Sequence, residues 1–550
     1  MMKEGDARLL QETNEEDLCI FLEKIISENA QVFTFPDLTT EVKKKCVEAI
    51  LERLRGNLAS RCIILCLQTL RIFSREKERM ETLTSDESIR LMMTLAGLKK
   101  FTVEEEMCTG TIQYRDQDVI VEAQKCLCNL IFNSTAVQRN CCQCGCVEAL
   151  VQRLKTYGDP ELRFDVKFFD MRMLFLLTAL PNCIETRPKI RYELHGFTYL
   201  MEVLDLTLRA AEERKAGLGD QDVELCSEIL KILFNLTIEK KSADEEEEAH
   251  FMRLVSILRD LLMCKVLSKD KQEELHSHTI NLLINIPVDF YEELLTPLNE
   301  CEVRGIENKE VEYDGKNMEA IIVLIHFLDR RLDRPAKNMK ENLTPILHCL
   351  CEACRHIRPI RKFCRSKVLP PLREDVRRLP EEGTSFRNRL CKLLTSPVTE
   401  VKDLAAHFLF VLCKENVTRM VKYTGYGNCA GLLSQFGLLK TDPAKIMGDY
   451  SSDSEDSETE EYTQLKDKVN PVTGCYEEPR ADPMAGMSDE QKEYEAMRLL
   501  DAMDKLQLQG IIQPSRIGPD GRPVPISHVL ELTENQGAAA NNESQKNDAD

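Results

Sequence analysis

The sequence predicts an all-α protein built from repeated helical units, and three observations lead to this prediction. Apolar residues recur with a period of about 3.6 residues from Glu15 to about Gly437, and strand signals are scarce. A short helical phrase with asparagine at one fixed place occurs around Asn129, Asn235 and Asn285. Hydrophobic residues make up 43% and charged residues 30% of the 550 residues, with no tryptophan, a balance that suits packed helices.

The spacing of the asparagines indicates the length of the repeat. Asn129 and Asn235 are 106 residues apart and Asn285 follows 50 residues later, so a unit of about 50 residues fits if a degenerate copy lies between the first two. Residues 173–178 supply that copy, with Leu176 in the place of asparagine. Helical repeats of about 40 to 50 residues are typical of armadillo and HEAT solenoids. We therefore expect an armadillo- or HEAT-like right-handed superhelical solenoid.

The chain divides into this array and a tail. We assign residues 1–437 to the solenoid and residues 438–487 to an acidic, serine-rich linker, because the latter are too polar to offset their ordering entropy. Residues 488–510 are predicted to form one amphipathic helix, since Ser488 and the third residue after it form a capping-box pattern ahead of apolar residues at regular steps. This helix either packs back on the solenoid or is offered to a partner. Residues 511–550 are expected to be mostly disordered.

Charge and cysteine content limit the class of protein. The net charge is −20, of which residues 449–550 carry −14, and we find no sustained basic stripe, so nucleic acid is not an expected partner. The N-terminal residues lack a secretory pattern, so the 23 cysteines are expected to be reduced. No apolar run reaches the roughly 18 residues that span a bilayer. We expect a cytoplasmic monomer that does not insert into membranes.

Chemical motifs are few. Residues 141–146 and 349–354 are rich in cysteine, but neither segment has a second pair at finger-like spacing, so we favour buried thiols and predict no metal site. A metal-dependent enzyme using these cysteines is a weaker alternative. The sequence contains no phosphate-binding loop, no nucleophile elbow and no zinc-protease helix. We predict no catalytic residues and no cofactor.

The repeated asparagines suggest a binding groove. On the inner helix of such a repeat, an amide can donate to and accept from the main chain of a guest; alternatively, it bonds a neighbouring turn within the solenoid. Arg71 occupies the asparagine position of an earlier repeat, and Arg75 lies one turn further on the same face, as Asn133 does after Asn129. Arginine and asparagine together suit a carboxylate or exposed carbonyls. A solvated arginine pair is the other interpretation.

Two further groups of residues are candidates. Phe169, Arg172 and Phe175 lie close in helical register; aromatic residues at this spacing usually belong to a core, and we expect one of the three to face the groove. Ser452 and Ser457 each have an acidic residue three positions later, the pattern of an acidophilic, casein-kinase-II-like kinase. Their phosphates would need basic partners, and residues 355–362 are basic; an unmodified solvating tail and an exposed helix end are the alternatives.

Several longer segments are more specific than the repeat: residues 125–130, 169–180, 368–373, 408–413, 422–428, 470–474 and 483–487 with the helix that follows. Through these segments the chain resembles the synembryn family, also known as resistance to inhibitors of cholinesterase proteins, over nearly its whole length. Members are similar in fold to armadillo solenoids. They are cytosolic chaperones of nascent heterotrimeric G-protein α subunits (Gα) and receptor-independent guanine nucleotide exchange factors for them.

The resemblance implies roles for particular residues. The C-terminal helix of Gα, in its GDP-bound or nucleotide-free form, would lie in the concave groove, and the helix from Ser488 would reach the nucleotide-binding side of Gα. Ser452 and Ser457 would match the family's phosphorylated positions. Association with Gα at the plasma membrane would also bring the protein to the cell cortex. The groove residues implied are Arg71, Arg75, Asn129, Asn133, Phe169, Arg172 and Phe175, to which the repeat pattern adds Asn235 and Asn285; the phosphate-contacting residues implied are Arg358, Arg361 and Lys362.

The competing function is an armadillo-type scaffold or cargo adaptor that binds an unstructured peptide with the same asparagines and has no exchange activity. Around residues 141–146 and 299–316 the chain departs from the expected family pattern. The family divides into a Gi, Gq and G12/13 branch and a Gs/olf branch, and the chain shares local features with each.

Overall fold

A computed structural model describes residues 4–35, 39–76, 81–98, 116–238, 245–298, 311–334, 337–439, 458–478, 484 and 486–526. These residues are mostly helical, which confirms the predicted predominance of α-helix, and the strands are two or three residues long. They fall into two compact units divided between Leu294 and Leu295, within the range for which the sequence analysis expects one array. We call them unit 1 and unit 2.

Unit 1 consists of helices and short helical turns. The turns are the 3₁₀ segments Pro181–Cys183 and Val288–Leu294 and the π-helical segment Lys189–Glu193. The helices are α1 (Glu4–Glu12), α2 (Glu15–Asn29), α3 (Thr40–Arg55), α4 (Ser60–Phe73), α5 (Asp86–Leu95), α6 (Gln117–Asn133), α7 (Thr135–Gln143), α8 (Cys146–Leu154), α9 (Phe164–Ala179), α10 (Thr186–Pro188), α11 (Gly196–Arg214), α12 (Asp220–Thr237), α13 (Glu245–Met263) and α14 (Lys269–Leu283).

The helices of unit 1 pack in two rows. In the first row, α2, α4, α6, α9, α12 and α14 each contact the next. Helices α3, α5, α8, α11 and α13 cover them as a second row, with α11 against α12 and α13 against α14. Apolar side chains fill the space between the rows, for example Leu127 of α6, Leu174 of α9 and Leu233 of α12, all fully buried. Each helix buries its apolar stripe only against its neighbours, as expected for a helical repeat.

One buried carboxylate ties several of these helices together. Asp170 of α9 is fully buried and accepts hydrogen bonds from Arg153 Nε of α8 (2.8 Å), Gln124 Nε2 of α6 (2.7 Å) and the Tyr157 hydroxyl (3.2 Å). Arg153 also donates through Nη1 to the Ala96 carbonyl after α5, at 2.8 Å. Because these partners meet the requirement for charge and hydrogen bonding, the ion pair can lie in the interior.

Unit 2 contains further helices, two 3₁₀ turns and three small sheets. The turns are Glu374–Arg377 and Lys466–Lys468. The helices are α15 (Glu319–Leu332), α16 (Met339–His356), α17 (Arg358–Val368), α18 (Phe386–Leu393), α19 (Thr399–Leu412), α20 (Val417–Thr424), α21 (Tyr426–Gln435), α22 (Glu460–Leu465) and α23 (Asp489–Leu508). The strands are β1 (Thr296–Pro297), β2 (Glu312–Tyr313), β3 (Lys316–Asn317), β4 (Val469–Asn470), β5 (Cys475–Tyr476), β6 (Ser515–Ile517) and β7 (Pro523–Pro525).

The sheets of unit 2 are all antiparallel. Strand β3 lies between β1 and β2, β4 pairs with β5, and β6 pairs with β7. Helix α16 packs against α15, α17 and α19, and α19 contacts α18, α20 and α21. Helices α16 and α19 therefore lie at the centre of this unit.

Two hairpins of the tail attach to the helices of unit 2. The β4–β5 hairpin caps the start of α21, where the Tyr426 and Gly427 amides donate to the Pro471 and Val472 carbonyls, both at 2.9 Å. The β6–β7 hairpin reaches the end of α21 through the Leu439 amide, which donates to the Gly521 carbonyl at 3.3 Å. A Cβ on Gly521 would collide with the Gly437 carbonyl, so the contact requires glycine. Residues 515–525 are thus a docked hairpin, although we expected residues 511–550 to be mostly disordered.

Helix α23 lies between these two hairpins in sequence and buries none of its side chains. It begins after Ser488, whose hydroxyl accepts from the Gln491 amide at 3.3 Å while the Gln491 side chain accepts from the Ser488 amide at 3.0 Å. This is the capping box that the sequence predicts. Tyr494 and Met497 are 68% and 61% exposed, so α23 presents its apolar residues outward.

We expect the Asp170→Asn substitution to destabilise the protein by about 3–5 kcal/mol, because Arg153 would be left buried without a counter-charge. Urea denaturation followed by circular dichroism measures the effect. The matched control is Asp165→Asn on the same helix, where a half-exposed carboxylate pairs with Arg163, and its expected effect is below about 0.5 kcal/mol. Equal stability of Asp170→Asn and the control would contradict a structural role for the buried pair.

Candidate functional site

The candidate groove residues all lie on the first row of unit 1. Arg71 belongs to α4 and Arg75 follows that helix; Asn129 and Asn133 belong to α6; Phe169, Arg172 and Phe175 belong to α9; Asn235 belongs to α12; and Asn285 follows α14. Asn235 is buried, and the others are half-buried. The structure thus brings residues that are up to 214 positions apart in the chain onto one continuous row of helices.

Each of the three repeated asparagines donates to the preceding helix of the row. Asn129 Nδ2 lies 3.1 Å from the Ser74 hydroxyl, Asn235 Nδ2 lies 3.0 Å from the Thr178 hydroxyl, and Asn285 Nδ2 lies 3.3 Å from the Thr237 hydroxyl. We call this set the asparagine–hydroxyl ladder.

The hydroxyls of the ladder are fixed by their own helices. Ser74 Oγ donates to the Arg71 carbonyl at 2.8 Å, and Thr178 and Thr237 donate to carbonyls one turn earlier. Each hydroxyl therefore donates within its helix and accepts from the next one. The amide nitrogens take the structural role that the sequence analysis kept as the alternative to guest binding.

Two arginines of the row, Arg71 and Arg172, face buried glutamates. Arg71 Nε lies 3.3 Å from Glu122 Oε2, and Lys125 lies 2.8 Å from the other oxygen of Glu122. The side chain of Glu122 is only 10% exposed, whereas that of Arg71 is 32% exposed. The carboxylate beneath the arginine attracts the guanidinium, and this attraction offsets part of the free-energy cost of desolvating the charge. The arginine can therefore lie at a partly buried position.

The same arrangement recurs two helices further along the row. Arg172 Nη1 lies 3.3 Å from Glu228 Oε1, and Lys231 lies 2.7 Å from the same oxygen. Arg172 remains 42% exposed while Glu228 is 7% exposed. Both arginine side chains are thus partly exposed, and each is positioned by a glutamate of the neighbouring helix.

Aromatic rings lie beside these charges. Lys125 Nζ is 5.4 Å from the centre of the Phe169 ring, and Lys231 Nζ is 4.9 Å from that of Phe175. Arg172 also lies over Phe175, at 5.5 Å. Phe169 and Phe175 are half-buried, so each offers an edge or face of its ring next to a cation.

Arg75 is positioned differently from Arg71. Its Nη1 donates to the Ala30 and Val32 carbonyls at 2.9 and 3.0 Å, and its guanidinium lies 5.2 Å from the Phe33 ring centre. Burial and the neighbouring Arg71 lower the pKa of Arg75. The side-chain Nδ2 of Asn133 donates to the Ser74 carbonyl at 2.8 Å, next to this site.

A second candidate region lies in unit 2 around the predicted phosphate contacts. Ser452 and Ser457 lie outside the described residues. Arg361 is buried and donates through Nη1 to the Cys354 carbonyl at 3.0 Å, at the end of α16. Lys362 lines a cavity of about 230 Å³ together with Arg365, Lys422, Glu458 and Tyr462. Arg358, at the start of α17, is not among the residues that line it.

The cavity contains one acidic group, the carboxylate of Glu458, among its basic side chains. This carboxylate accepts from Lys422 Nζ at 3.0 Å and Lys466 Nζ at 3.2 Å, and these lysines hold its pKa below the usual value. Lys422 also lies 4.7 Å from the Tyr462 ring centre. Glu458 directly follows Ser457, so the described tail enters this cationic cavity one residue after a predicted phosphorylation site.

Several residues of both regions escaped the sequence analysis. Glu122 and Glu228 each precede a lysine by three positions, which resembles a solvated helix pair. Only the packing of the preceding helix of the row, which carries Arg71 or Arg172, shows them to be counter-charges. Arg365 lies one turn after Lys362 and was detectable from that spacing. Lys422 has no signal in the sequence, because its relation to Glu458 arises only when α20 and the tail pack together.

The described part of the chain contains no group of three or more His, Cys, Asp or Glu side chains placed to hold a metal ion. Among the helices in that part, none is long and apolar enough to cross a bilayer.

Comparison with known proteins identifies the family. The Ric8 family model, described as guanine nucleotide exchange factor synembryn, matches residues 66–522. The chain is 42% identical to chaperone Ric-8A of Gallus gallus over 94% of this chain and 95% of that protein. It is 42% identical to chaperone Ric-8A of Danio rerio over 98% of both chains, and 43% identical to that of Xenopus tropicalis over 96% and 95%. The family resemblance drawn from the sequence is thus confirmed, and the chain belongs to the Ric8 family, guanine nucleotide exchange factor synembryn.

Proposed function

We propose that this protein is a chaperone of nascent Gα subunits and a receptor-independent guanine nucleotide exchange factor for them. Membership of the Ric8 family and the name of the relatives, chaperone Ric-8A, support this function. The observation in the structure that carries the proposal is the first row of unit 1, where the half-exposed Arg71 and Arg172 are held from beneath by buried glutamates. The Phe175 ring lies beside Arg172, and the Phe169 ring lies beside a lysine of the same row. No proton transfer or covalent step is required.

The first-row face is the proposed binding surface for the C-terminal helix of Gα. We propose that unit 1 is a right-handed armadillo- or HEAT-type superhelix and that this face is its concave groove; the two-row packing of helices supports a repeat array of this type. A helix C-terminus presents unpaired carbonyls and a carboxylate, which guanidinium groups bind well. Arg71, Arg75 and Arg172 would make these contacts, and Phe169 and Phe175 would cover apolar residues of the guest.

The asparagines contribute to this surface in a second way. Their amide nitrogens are engaged by the preceding helix, but an amide also has a carbonyl oxygen with acceptor capacity. We propose that Asn129, Asn133, Asn235 and Asn285 set the spacing of the row and accept hydrogen bonds from the guest through these oxygens.

Exchange follows from linkage between two binding equilibria. If the groove binds the C-terminal helix of Gα in a displaced position, it stabilises the state of Gα in which that helix is loose. The affinity of Gα for GDP must then fall by the same factor by which GDP weakens binding to the groove. GTP would restore the closed state and release Gα. The protein would act in the cytoplasm and, with Gα, at the cell cortex.

The tail has two proposed roles. Helix α23, with its outward apolar residues, would contact the nucleotide-binding side of Gα. Ser452 and Ser457 would be phosphorylated by an acidophilic kinase. The position of Glu458 in the cationic cavity supports Lys362, Arg365 and Lys422 as partners of a phosphate on Ser457, because the phosphate would lie one residue from a carboxylate that two lysines already bind.

The family function predicts accelerated GDP release from purified Gα on addition of this protein, whereas a scaffold or cargo adaptor would leave the rate unchanged. Release of a fluorescent GDP analogue measures this, with each Gα class tested separately. A flat rate with all classes would reject exchange activity and leave the adaptor function.

Substituting both Arg71 and Arg75 with alanine is expected to reduce the stimulated GDP release by about 100-fold or more, since each of the two lost charge-assisted hydrogen bonds contributes at least about 1.5 kcal/mol, or about tenfold in rate. Arg209→Ala, an exposed arginine of the second row, is the matched control and should keep full activity. Thermal unfolding of each variant monitors the loss of the Arg75 contacts to Ala30 and Val32. A normal rate in a folded double variant would remove these arginines from the site.

Phosphorylation of Ser457 is expected to slow hydrogen exchange of the α22 amides, because a dianion held by the cavity would fix the adjoining chain. Exchange is measured by mass spectrometry before and after treatment with an acidophilic kinase. Ser457→Ala should abolish the change and Lys362→Gln should at least halve it, whereas the exposed Lys392→Gln should not affect it. Full protection in Lys362→Gln would exclude this lysine as a phosphate partner.

A further inference from the structure

The side chain of Phe33 is exposed at the start of the first row. It follows α2 and is 64% exposed, which no other large apolar side chain among the described residues of unit 1 exceeds. Exposure alone does not indicate a function, because single apolar side chains are common on protein surfaces. The position of Phe33 beside Arg75 distinguishes it from the others.

The segment that carries Phe33 is attached to the end of α4. The ring of Phe35 is buried and packs edge to face against that of Phe73, with 5.7 Å between the ring centres. The Val32 amide donates to the Asn29 carbonyl at 3.1 Å. Contacts on both sides of Phe33 therefore hold the main chain, and the ring meets solvent at a defined position.

Arg75 contacts the same segment. Its guanidinium donates to two main-chain carbonyls there and lies 5.2 Å from the Phe33 ring centre. The residue after it, Glu76, accepts from Lys43 Nζ at 2.8 Å, and the Lys43 side chain is only 1% exposed. Separate buried contacts thus place the guanidinium and the ring, which together form a cationic and an apolar surface side by side.

Positive charge is in excess at this end of the row. Arg71 and Lys125 both face the carboxylate of Glu122. No carboxylate in the described part of the chain pairs with Arg75, and its charged neighbour is Arg71. Three cationic side chains therefore share one carboxylate here, whereas two share Glu228 further along the row. The carboxylate of a guest is attracted most strongly to the end with the larger excess.

We propose that the Phe33 ring binds the last side chain of the Gα C-terminal helix and that this side chain must be large and apolar. The inference rests on the proposed function, in which Arg71 and Arg75 bind the terminal carboxylate. The carboxylate and the side chain of a terminal residue are attached to the same Cα. A carboxylate bound by Arg75 therefore brings that side chain within reach of the ring that Arg75 contacts. Covering the ring with an apolar group removes both from water and strengthens binding.

A purely structural role for the ring is the competing interpretation, since truncating it also removes a contact of Arg75. Two comparisons separate the roles. Phe33→Leu keeps an apolar side chain but loses the aromatic face that attracts a cation. On the side of the guest, the effect of truncating Phe33 depends on the last residue of Gα only if the two side chains touch.

The experiment measures the dissociation constant between the full-length protein and a purified Gα that ends in a large apolar residue, and then the same Gα with alanine as its last residue. Phe33→Ala should weaken binding of the first Gα by about 10-fold, and Phe33→Leu by less than about 3-fold. With the alanine-terminated Gα, Phe33→Ala should change binding by less than about 2-fold.

Leu206→Ala, which truncates an exposed apolar side chain of the second row, is the matched control and should bind both forms of Gα as the unmodified protein does. Thermal unfolding of Phe33→Ala checks that the fold is retained, as expected for an exposed ring.

Two results would overturn the proposal while leaving the proposed function intact. One is unchanged binding of the first Gα by Phe33→Ala. The other is an equal loss with both forms of Gα, which would show that the ring acts through Arg75 and not on the last side chain. Failure of the unmodified protein to bind any Gα would instead reject the proposed function, and this proposal with it.

Discussion

The first row of unit 1 depends on the asparagine–hydroxyl ladder. In each step, the hydroxyl of a serine or threonine at the end of one helix donates a hydrogen bond to a carbonyl of that helix. The same hydroxyl oxygen accepts a hydrogen bond from the asparagine side chain of the next helix. Buried polar groups require such partners, because each unmade hydrogen bond costs about 1–3 kcal/mol. The requirement constrains the distance and the axial register of the three helix pairs that the ladder joins: α4 with α6, α9 with α12, and α12 with α14. The side chains between the ladder steps are thereby placed at regular positions along the row.

The buried carboxylates of the row are likewise matched, each by a partner of opposite charge. Asp170 faces inward and is matched by Arg153, whereas Glu122 and Glu228 lie beneath Arg71 and Arg172 and leave those arginines partly exposed. The first arrangement is structural, because the Asp170 carboxylate is fully buried and little of the Arg153 side chain meets solvent. The second gives a polar surface whose arginines are already positioned by ion pairs, which would reduce the ordering cost of the proposed binding.

Local patterns in the sequence predict most of the helices and part of the candidate site. The period of apolar residues, the Ser488 capping box and the repeated asparagines each depend on neighbours within a few residues, and each could be read directly. The buried glutamates, Lys422 and the tail hairpins depend on contacts between distant segments. From the sequence alone, Glu228 is expected to be solvated, and only the packing of α9 shows that it pairs with Arg172. Gly521 is expected to form a turn, and its close contact with Gly437 is known only from the structure. The repeat pattern indicates the asparagines of the ladder, but it does not indicate their hydroxyl partners, which lie on other helices.

The two hairpins that flank α23 have a consequence for any molecule that binds this helix. Both ends of the intervening chain are attached to α21, at the Tyr426 and Leu439 amides, so α23 cannot diffuse away from unit 2. A partner already bound elsewhere on the protein would meet the helix at an effective concentration on the order of millimolar, set by the length of the two connections. A weak contact with α23 can then contribute to a complex as a second, intramolecular step. The attachment at Gly521 sets the length of the chain between α23 and its second anchor point.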